Sequence, residues 1–313
     1  MRRALSLLGS TLVLAAACGG EGNLDVAPAP VPAAPTSTAA GVTRTPDGCV
    51  VGSTHAAVIS KLGFTREGPA GHAPGFNLDG RMVEGNDPGS CFKADLIGED
   101  GTKVDNQLAR LIPAVDDIVH GAVDGLVAGA INDGNLLVLL QMDGAESLSD
   151  ASCVNLTVRT AKVTKPSLGT DGAIEGYQTF DADPESQVSN GKGTIAGGVM
   201  TTEPFELAIP IKIFDVSFIV HVHGGRFRYT IDPETGHIKG LFGGGIEVQE
   251  ILDGVSQGAG VDKILPMIRG VLKPSADMAP DADGVCTQIS AALSFEAAPA
   301  FVRLSTSARG RLR

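Results

Sequence analysis

The sequence contains no tryptophan and only two tyrosines among its 313 residues. Carbohydrate-binding surfaces usually present exposed aromatic rings, so this scarcity disfavours a sugar-binding module. Three motifs of catalysis are also missing: the G-x-S-x-G elbow of serine hydrolases, the H-E-x-x-H zinc motif and the P-loop. The glycine run Gly243–Gly245 has no lysine after it, and we interpret it as a passage from a strand into a helix.

Basic residues are outnumbered by acidic ones, 24 to 36, which gives a formal net charge of −12. An acidic chain repels phosphate backbones, so nucleic acid is not an expected partner. The exception is a basic C-terminal tail with Arg303, Arg309, Arg311 and Arg313. Over residues 305–313 we expect a frayed, solvated terminus.

The apolar run near the start is short. Arg2 and Arg3 precede an apolar stretch over residues 4–17. A membrane-spanning helix needs about 20 apolar residues, so the pattern favours a cleaved signal peptide, residues 1–17, over a permanent span.

The signal peptide ends in the sequence Leu14–Cys18, LAAAC, which resembles the lipobox of bacterial lipoproteins. One position departs from that pattern, because Ala15 stands where leucine is usual. The resemblance implies cleavage before Cys18 and lipidation of its thiol with a diacylglycerol and palmitate-type acyl chains. The alternative is ordinary cleavage after Ala17, with Cys18 incidental.

Residues 18–45 are expected to form a lipidated cysteine followed by a disordered tether. The stretch Ala27–Thr38 is rich in proline and alanine and has nothing with which to build a core. Gly19, not aspartate, follows Cys18, and this favours the outer membrane of the cell envelope over retention at the inner membrane. Low-complexity sequence without a spacer role is the alternative.

The five cysteines are an odd number for an exported protein. Lipidation of Cys18 would leave four: Cys49, Cys91, Cys153 and Cys286. An oxidising envelope favours two disulfide bonds among these four, with three pairings open. A zinc site is disfavoured because no C-x-x-C pair occurs.

Alternating apolar residues predict strands in the body, residues 46–313, which we expect to be a single domain. Examples are the run Leu136–Met142, alternation over 154–158, 207–222 and 227–231, and two late strands at Ile289–Phe295 and Phe301–Leu304. Short strands punctuated by glycine, proline and aspartate are typical of an antiparallel sandwich or barrel. The fold class is therefore predicted as mainly β.

Two amphipathic helical segments interrupt the strands. The first runs from Asp105, as a helix cap, to Ile131, with Pro113 expected to kink or split it. The second runs from Val248 to Leu272 and ends at Pro274. Both apolar stripes are interpreted as facing the core, because their polar faces carry aspartates that anionic lipid would repel.

Carboxylates cluster in three turn-rich stretches. The calcium candidates are Asp100, Asp105, Asp181, Asp183, Asp281 and Asp283. Calcium prefers oxygen ligands in turns, but the EF-hand spacing fails around Gly101 and Gly284. Ordinary turn chemistry is favoured, so no cofactor is expected, and calcium is the alternative.

His221 and His223 stand two residues apart in a predicted strand, where their side chains share one face. Two imidazoles on one face can bind a transition metal. Cupin-like and binuclear-hydrolase spacings both fail, and no third ligand is evident. A polar strand face is therefore favoured over a metal site.

Four segments carry a family resemblance: Val104–Leu111, Ala130–Gly134, Gln178–Asp181 and Ser290–Ala297. They look like segments of envelope lipoproteins that are abundant in myxobacteria and related bacteria. No activity is established for that group. The resemblance thus implies an address in the cell envelope and no mechanism.

Two functional hypotheses follow. The favoured one is a membrane-anchored, non-catalytic binding or structural module, with a lipid anchor and an envelope partner or ligand of unknown identity. The alternative is a secreted hydrolase whose site, built from carboxylates or from His221 and His223, is assembled only in three dimensions.

Overall fold

The computed structural model describes Cys49 and residues 54–118, 123–213, 216–258 and 261–304. The predicted signal peptide, Cys18, the tether and the tail 305–313 lie outside the described residues. All described residues belong to one unit, Val42–Arg313.

Strands dominate this unit, as the alternating sequence predicts. They are β1 Thr54–Phe64, β2 Leu96–Ile97, β3 Lys103–Val104, β4 Val138–Asp143, β5 Ala151–Thr160, β6 Gln178–Asp181, β7 Ser189–Ala196, β8 Val199–Thr202, β9 Phe205–Ile213, β10 Val216–Ile231, β11 Ile238–Glu247, β12 Met278–Pro280 and β13 Cys286–Arg303.

Eight of the strands close into a ring. The hydrogen-bonded order is β1, β4, β5, β7, β8, β10, β11 and β13, and β13 pairs again with β1. Every pairing in this ring is antiparallel. The long strand β10 pairs with β8 through one half and with β9 through the other. The predicted mainly β, barrel-like body is confirmed.

A cluster of aromatic side chains lies in the core of the ring, among many buried aliphatic residues. Phe227 stacks on Phe242 with ring centroids 5.5 Å apart and meets the edge of Phe295 at 5.7 Å. Tyr229 also contacts Phe295, at 6.0 Å. All four rings are buried. Offset and edge-to-face contacts of this kind add to the stabilisation from burying apolar area.

The C-terminal strand differs from the prediction. The sequence suggested two strands, but β13 runs unbroken through Pro299. Proline has no N–H to donate, yet its carbonyl still accepts a hydrogen bond from the Tyr177 N–H at 2.5 Å. One proline close to the end of a strand is therefore tolerated here.

Each predicted helical segment contains two α-helices: α1 Gln107–Ile118 and α2 Val123–Asn132 in the first, α3 Val248–Ser256 and α4 Leu265–Ser275 in the second. Their apolar stripes face the protein, and Leu111, Leu252 and Leu272 are buried in a shared cluster beside β13. None of the helices in the described part of the chain has the length and apolar character that a membrane crossing requires.

The start of α1 corrects one prediction. Asn106, not Asp105, caps the helix, because its Oδ1 accepts a hydrogen bond from the Ala109 N–H at 3.3 Å. The helix then continues through Pro113. A proline inside a helix leaves the carbonyl four residues earlier without its donor. Here that carbonyl belongs to Ala109, and the Glu67 N–H donates to it at 3.1 Å.

Two disulfides fasten the barrel, one at each end. Cys49 is bonded to Cys153 on β5, and Cys91 is bonded to Cys286 at the start of β13. The prediction of two bridges is confirmed. The first bridge lies at the end of the ring that also holds the start of β1, the turn between β10 and β11, and the last residues of β13. We call this the Cys49 end.

Candidate functional site

His221 and His223 lie side by side on the outer face of β10. Their neighbours Val220 and Val222 are buried in the core, so both imidazoles point away from the interior. The Nδ1 atom of His221 lies 2.8 Å from Oε1 of Glu250, and the Nδ1 atom of His223 lies 2.8 Å from Oε2 of Glu206. The sequence predicted the shared face but not the two carboxylates.

Local backbone structure explains both carboxylate partners. Glu206 lies on β9 next to His223, because β9 and β10 form an antiparallel hairpin in which Leu207 pairs with Val222. Glu250 lies in the first turn of α3, where the chain leaves β11. Its Oε2 accepts a hydrogen bond from the His221 N–H at 3.1 Å. The glutamate thus takes the place of a strand partner along the edge of β10.

Both histidine rings are hydrogen-bonded to carboxylates. Within the described ranges, neither imidazole is hydrogen-bonded to a serine, threonine or cysteine that could serve as a nucleophile. A charge-relay arrangement needs such a contact. The described chain also holds no group of three or more histidine, cysteine, aspartate or glutamate side chains arranged around a common metal position.

Several calcium candidates are used in turns or ion pairs. Asp100 accepts from both the backbone N–H and the hydroxyl of Thr102, which lowers its pKa. Asp183 accepts from the Glu185 N–H, and Asp281 from the Asp283 N–H, each in its own turn. The structure does not bring these stretches together at one site, and calcium binding stays a prediction.

Asp181 and Arg303 form an ion pair that the sequence did not indicate. The guanidinium Nη2 of Arg303 donates to Oδ2 of Asp181 at 2.9 Å, and its Nε also contacts this carboxylate. The pair lowers the pKa of Asp181. Arg303 therefore ends β13 in an ordered contact and does not belong to the basic tail predicted for it.

Asp105 is buried beside the barrel and is the most perturbed of the calcium candidates. Burial raises its pKa to about 7, although the Leu78 N–H donates to its Oδ2 at 2.6 Å. The nearby carboxylates Asp79 and Asp95 raise the pKa further. Asp277, which the sequence analysis missed, is also buried, and burial raises its pKa to about 6.

Asp277 belongs to a buried series of hydrogen bonds that ends at Gln107, the first residue of α1. Its Oδ2 accepts from the Ser290 hydroxyl at 2.6 Å, and its Oδ1 accepts from the Ser290 N–H at 2.7 Å. The Ser290 Oγ in turn accepts from the Gln107 N–H at 2.8 Å. These bonds satisfy groups that would otherwise be buried without partners.

Replacing Asp105 with asparagine should remove part of the pH dependence of folding. The raised pKa means that the folded protein holds a proton that the unfolded chain has lost. The contribution of the protonated Asp105 carboxyl to stability is therefore complete below about pH 4, and it is lost as the pH rises through about 7. Asparagine keeps an acceptor for the Leu78 N–H and cannot ionise. Above pH 7, we expect the free energy of unfolding of Asp105→Asn to be about 1–3 kcal/mol higher than that of the parent. Urea denaturation measures this difference.

The exposed Asp283 provides the control for that experiment. Asp283→Asn should leave the unfolding free energy close to that of the parent at every pH, because changes at exposed positions usually stay within about 0.5 kcal/mol. Parallel pH profiles for the parent and for Asp105→Asn would contradict the role given to the buried carboxyl.

A cavity of about 590 Å³ opens at the Cys49 end of the ring. Its lining includes Tyr177, Tyr229, Phe301 and Leu304. Tyr177, Phe301 and Leu304 are each more than half exposed, at 61%, 58% and 54%, and the rings of Tyr177 and Phe301 lie 6.3 Å apart. Large apolar side chains grouped at the surface often mark an interaction site.

Tyr229 closes the bottom of this cavity. Its side chain is buried, and its hydroxyl donates to the thioether sulfur of Met142 at 3.7 Å. Burial raises the pKa of the phenol, so it stays protonated.

No protein-family model, curated protein or solved structure matches this chain.

Proposed function

We propose that this chain is a lipid-anchored lipoprotein of the bacterial cell envelope, held at the outer membrane through Cys18. Its barrel-like body would serve as a non-catalytic binding or structural module. The observation that carries the proposal is the disulfide pairing. Four of the five cysteines are bonded to one another, Cys49 to Cys153 and Cys91 to Cys286, so Cys18 is left without a cysteine partner within the chain.

The lipobox-like sequence indicates lipidation as the role of the Cys18 thiol. A diacylglycerol on Cys18 would partition into the membrane with about 0.8 kcal/mol for each buried methylene group. Two or more acyl chains are needed for stable anchoring, and a lipoprotein cysteine carries them. The resemblance to myxobacterial envelope lipoproteins supports the same address.

The surface of the Cys49 end also fits a body held close to a membrane. Tyr177, Phe301 and Leu304 project there, and tyrosine is enriched where proteins meet the membrane–water interface. Cys49, the first described residue, is bonded to Cys153 at this same end.

Labelling with palmitate tests the anchor. In a bacterial host that processes lipoproteins, the parent should incorporate labelled palmitate and sediment with the membrane fraction. Cys18→Ala should incorporate none and should be released without detergent, because the acyl chains are the only attachment proposed. Thr38→Ala, a matched change in the predicted tether, should behave as the parent does.

Mass spectrometry of the mature N-terminus completes this test. The proposal requires an acylated Cys18 as the first residue. An exported parent protein with an unmodified first residue, free in the periplasm, would refute the anchor, as would normal membrane retention of Cys18→Ala.

A further inference from the structure

We propose that His221 and His223 form a binding site for a divalent transition metal ion such as Zn²⁺. The Nε2 atoms of the two imidazoles would be the ligands, and Glu250 and Glu206 would orient them. The site lies on the barrel wall and does not depend on the lipid anchor.

The spacing along β10 suits one ion. Residues two apart on a strand have side chains on the same face, about 6.6 Å apart along the strand. Imidazole nitrogens bind zinc at about 2.0–2.1 Å, so two Nε2 atoms on one ion lie about 3–4 Å apart. Rings that start from neighbouring positions on one face can converge to that separation by rotation about their side-chain bonds.

The hydrogen bonds at Nδ1 prepare the rings for metal binding. A carboxylate accepts but does not donate, so in each neutral ring the proton lies on Nδ1, facing Glu250 or Glu206. The Nε2 atom then carries the free lone pair. Metal-binding histidines almost always donate their second ring N–H to a carboxylate, a carbonyl or water. Both histidines of this pair show that arrangement.

The two carboxylates are themselves held in place. Glu250 accepts from the His221 N–H at 3.1 Å through its second oxygen, and Glu206 accepts from the Gly224 N–H at 3.2 Å through its second oxygen. Each glutamate thus joins an imidazole to the backbone of β10. Two carboxylates beside neutral rings leave negative charge that attracts a divalent cation.

The chemistry of the ligands selects the class of ion. Imidazole suits zinc, copper and nickel, whereas calcium and magnesium prefer oxygen ligands. Neither Nε2 atom has a hydrogen-bond partner among the described residues, and both rings are partly exposed. With two protein ligands, the remaining coordination positions would hold water or a group from an incoming molecule.

Titration calorimetry of the purified full chain with zinc chloride tests this site. The parent should bind one Zn²⁺ with a saturable isotherm. His221→Ala and His223→Ala should each weaken binding about tenfold or more, and the double variant should abolish it. Glu250→Gln keeps an acceptor for the ring N–H but removes the charge, and it should weaken binding about tenfold, within the range seen for outer-shell partners.

His237→Ala is the matched control, because His237 is exposed in the turn between β10 and β11. It should bind Zn²⁺ as the parent does. Thermal unfolding without metal shows whether each variant is folded, and added Zn²⁺ should raise the Tm of the parent but not that of the double variant. Absence of saturable binding in the parent, or unchanged binding in the folded double variant, would overturn the proposal.

Discussion

Phe295→Ala should lower the free energy of unfolding by about 3–5 kcal/mol, the range typical of a buried phenylalanine cut to alanine. Phe295 is 1% exposed and contacts the rings of Phe227, Tyr229 and Phe242. Its removal leaves a cavity in the middle of the ring, where closed strand pairing prevents the walls from collapsing inward. Denaturation in urea, followed by circular dichroism, measures the change.

Phe301 on the same strand is the control. It is 58% exposed, so Phe301→Ala should change the free energy of unfolding by no more than about 0.5 kcal/mol. Equal losses for the two variants would show that the aromatic cluster does not dominate the core.

The second large effect is expected from the bond between Cys91 and Cys286. Replacing both cysteines with alanine should cost about 2–5 kcal/mol of unfolding free energy. This disulfide joins residues 195 positions apart, and a cross-link over a longer loop removes more conformational freedom from the unfolded chain. Chemical denaturation under oxidising conditions, with the second disulfide intact, is the measurement.

The disulfide between Cys49 and Cys153 gives the comparison. It spans 104 positions, so in the loop-entropy relation its removal should cost about 0.5 kcal/mol less than removal of the longer bridge. A Cys91→Ala, Cys286→Ala protein as stable as the parent would contradict this account of the bridge.

The strands that sequence predicted best are those with alternating apolar side chains. In β5, Val154, Leu156 and Val158 face the core while the residues between them are less buried, and this is the period-two pattern. In β7 the inward positions are Ser189, Gly191, Gly193 and Ile195, so alternating hydrophobicity hardly distinguishes inward from outward residues. The hydrophobic pattern therefore does not predict this strand.

The glycines of β7 have a packing role that only three dimensions reveal. A Cβ atom at Gly191 would lie 2.7 Å from the ring of Phe205, and one at Gly193 would lie 2.3 Å from the Thr201 carbonyl oxygen. The glycine run in β11 behaves likewise, because a Cβ at Gly243 would lie 2.4 Å from the Ala291 carbonyl oxygen. That run lies within the strand, and α3 begins only at Val248.

The candidate metal site was predictable in part. Residue spacing placed His221 and His223 on one face, because strand geometry is local. Their partners Glu206 and Glu250 are placed by the register of a hairpin and by the direction of a helix. Neither the register nor the direction can be predicted from residues that are close in sequence. Asp105 shows the same limit, because its position before a helix suggested a cap whereas tertiary contacts bury it against the Leu78 N–H.

The pairing of β1 with β13 has a consequence for how the protein is made. Leu62 in the first strand lies opposite Phe295 in the last, so the ring closes only after nearly all of the body has been synthesised. Until then β1 and β11 each present an edge able to pair with a neighbouring chain. High contact order of this kind slows folding. The interval between the emergence of the first strand and that of the last is therefore the period in which these open edges could pair with another chain.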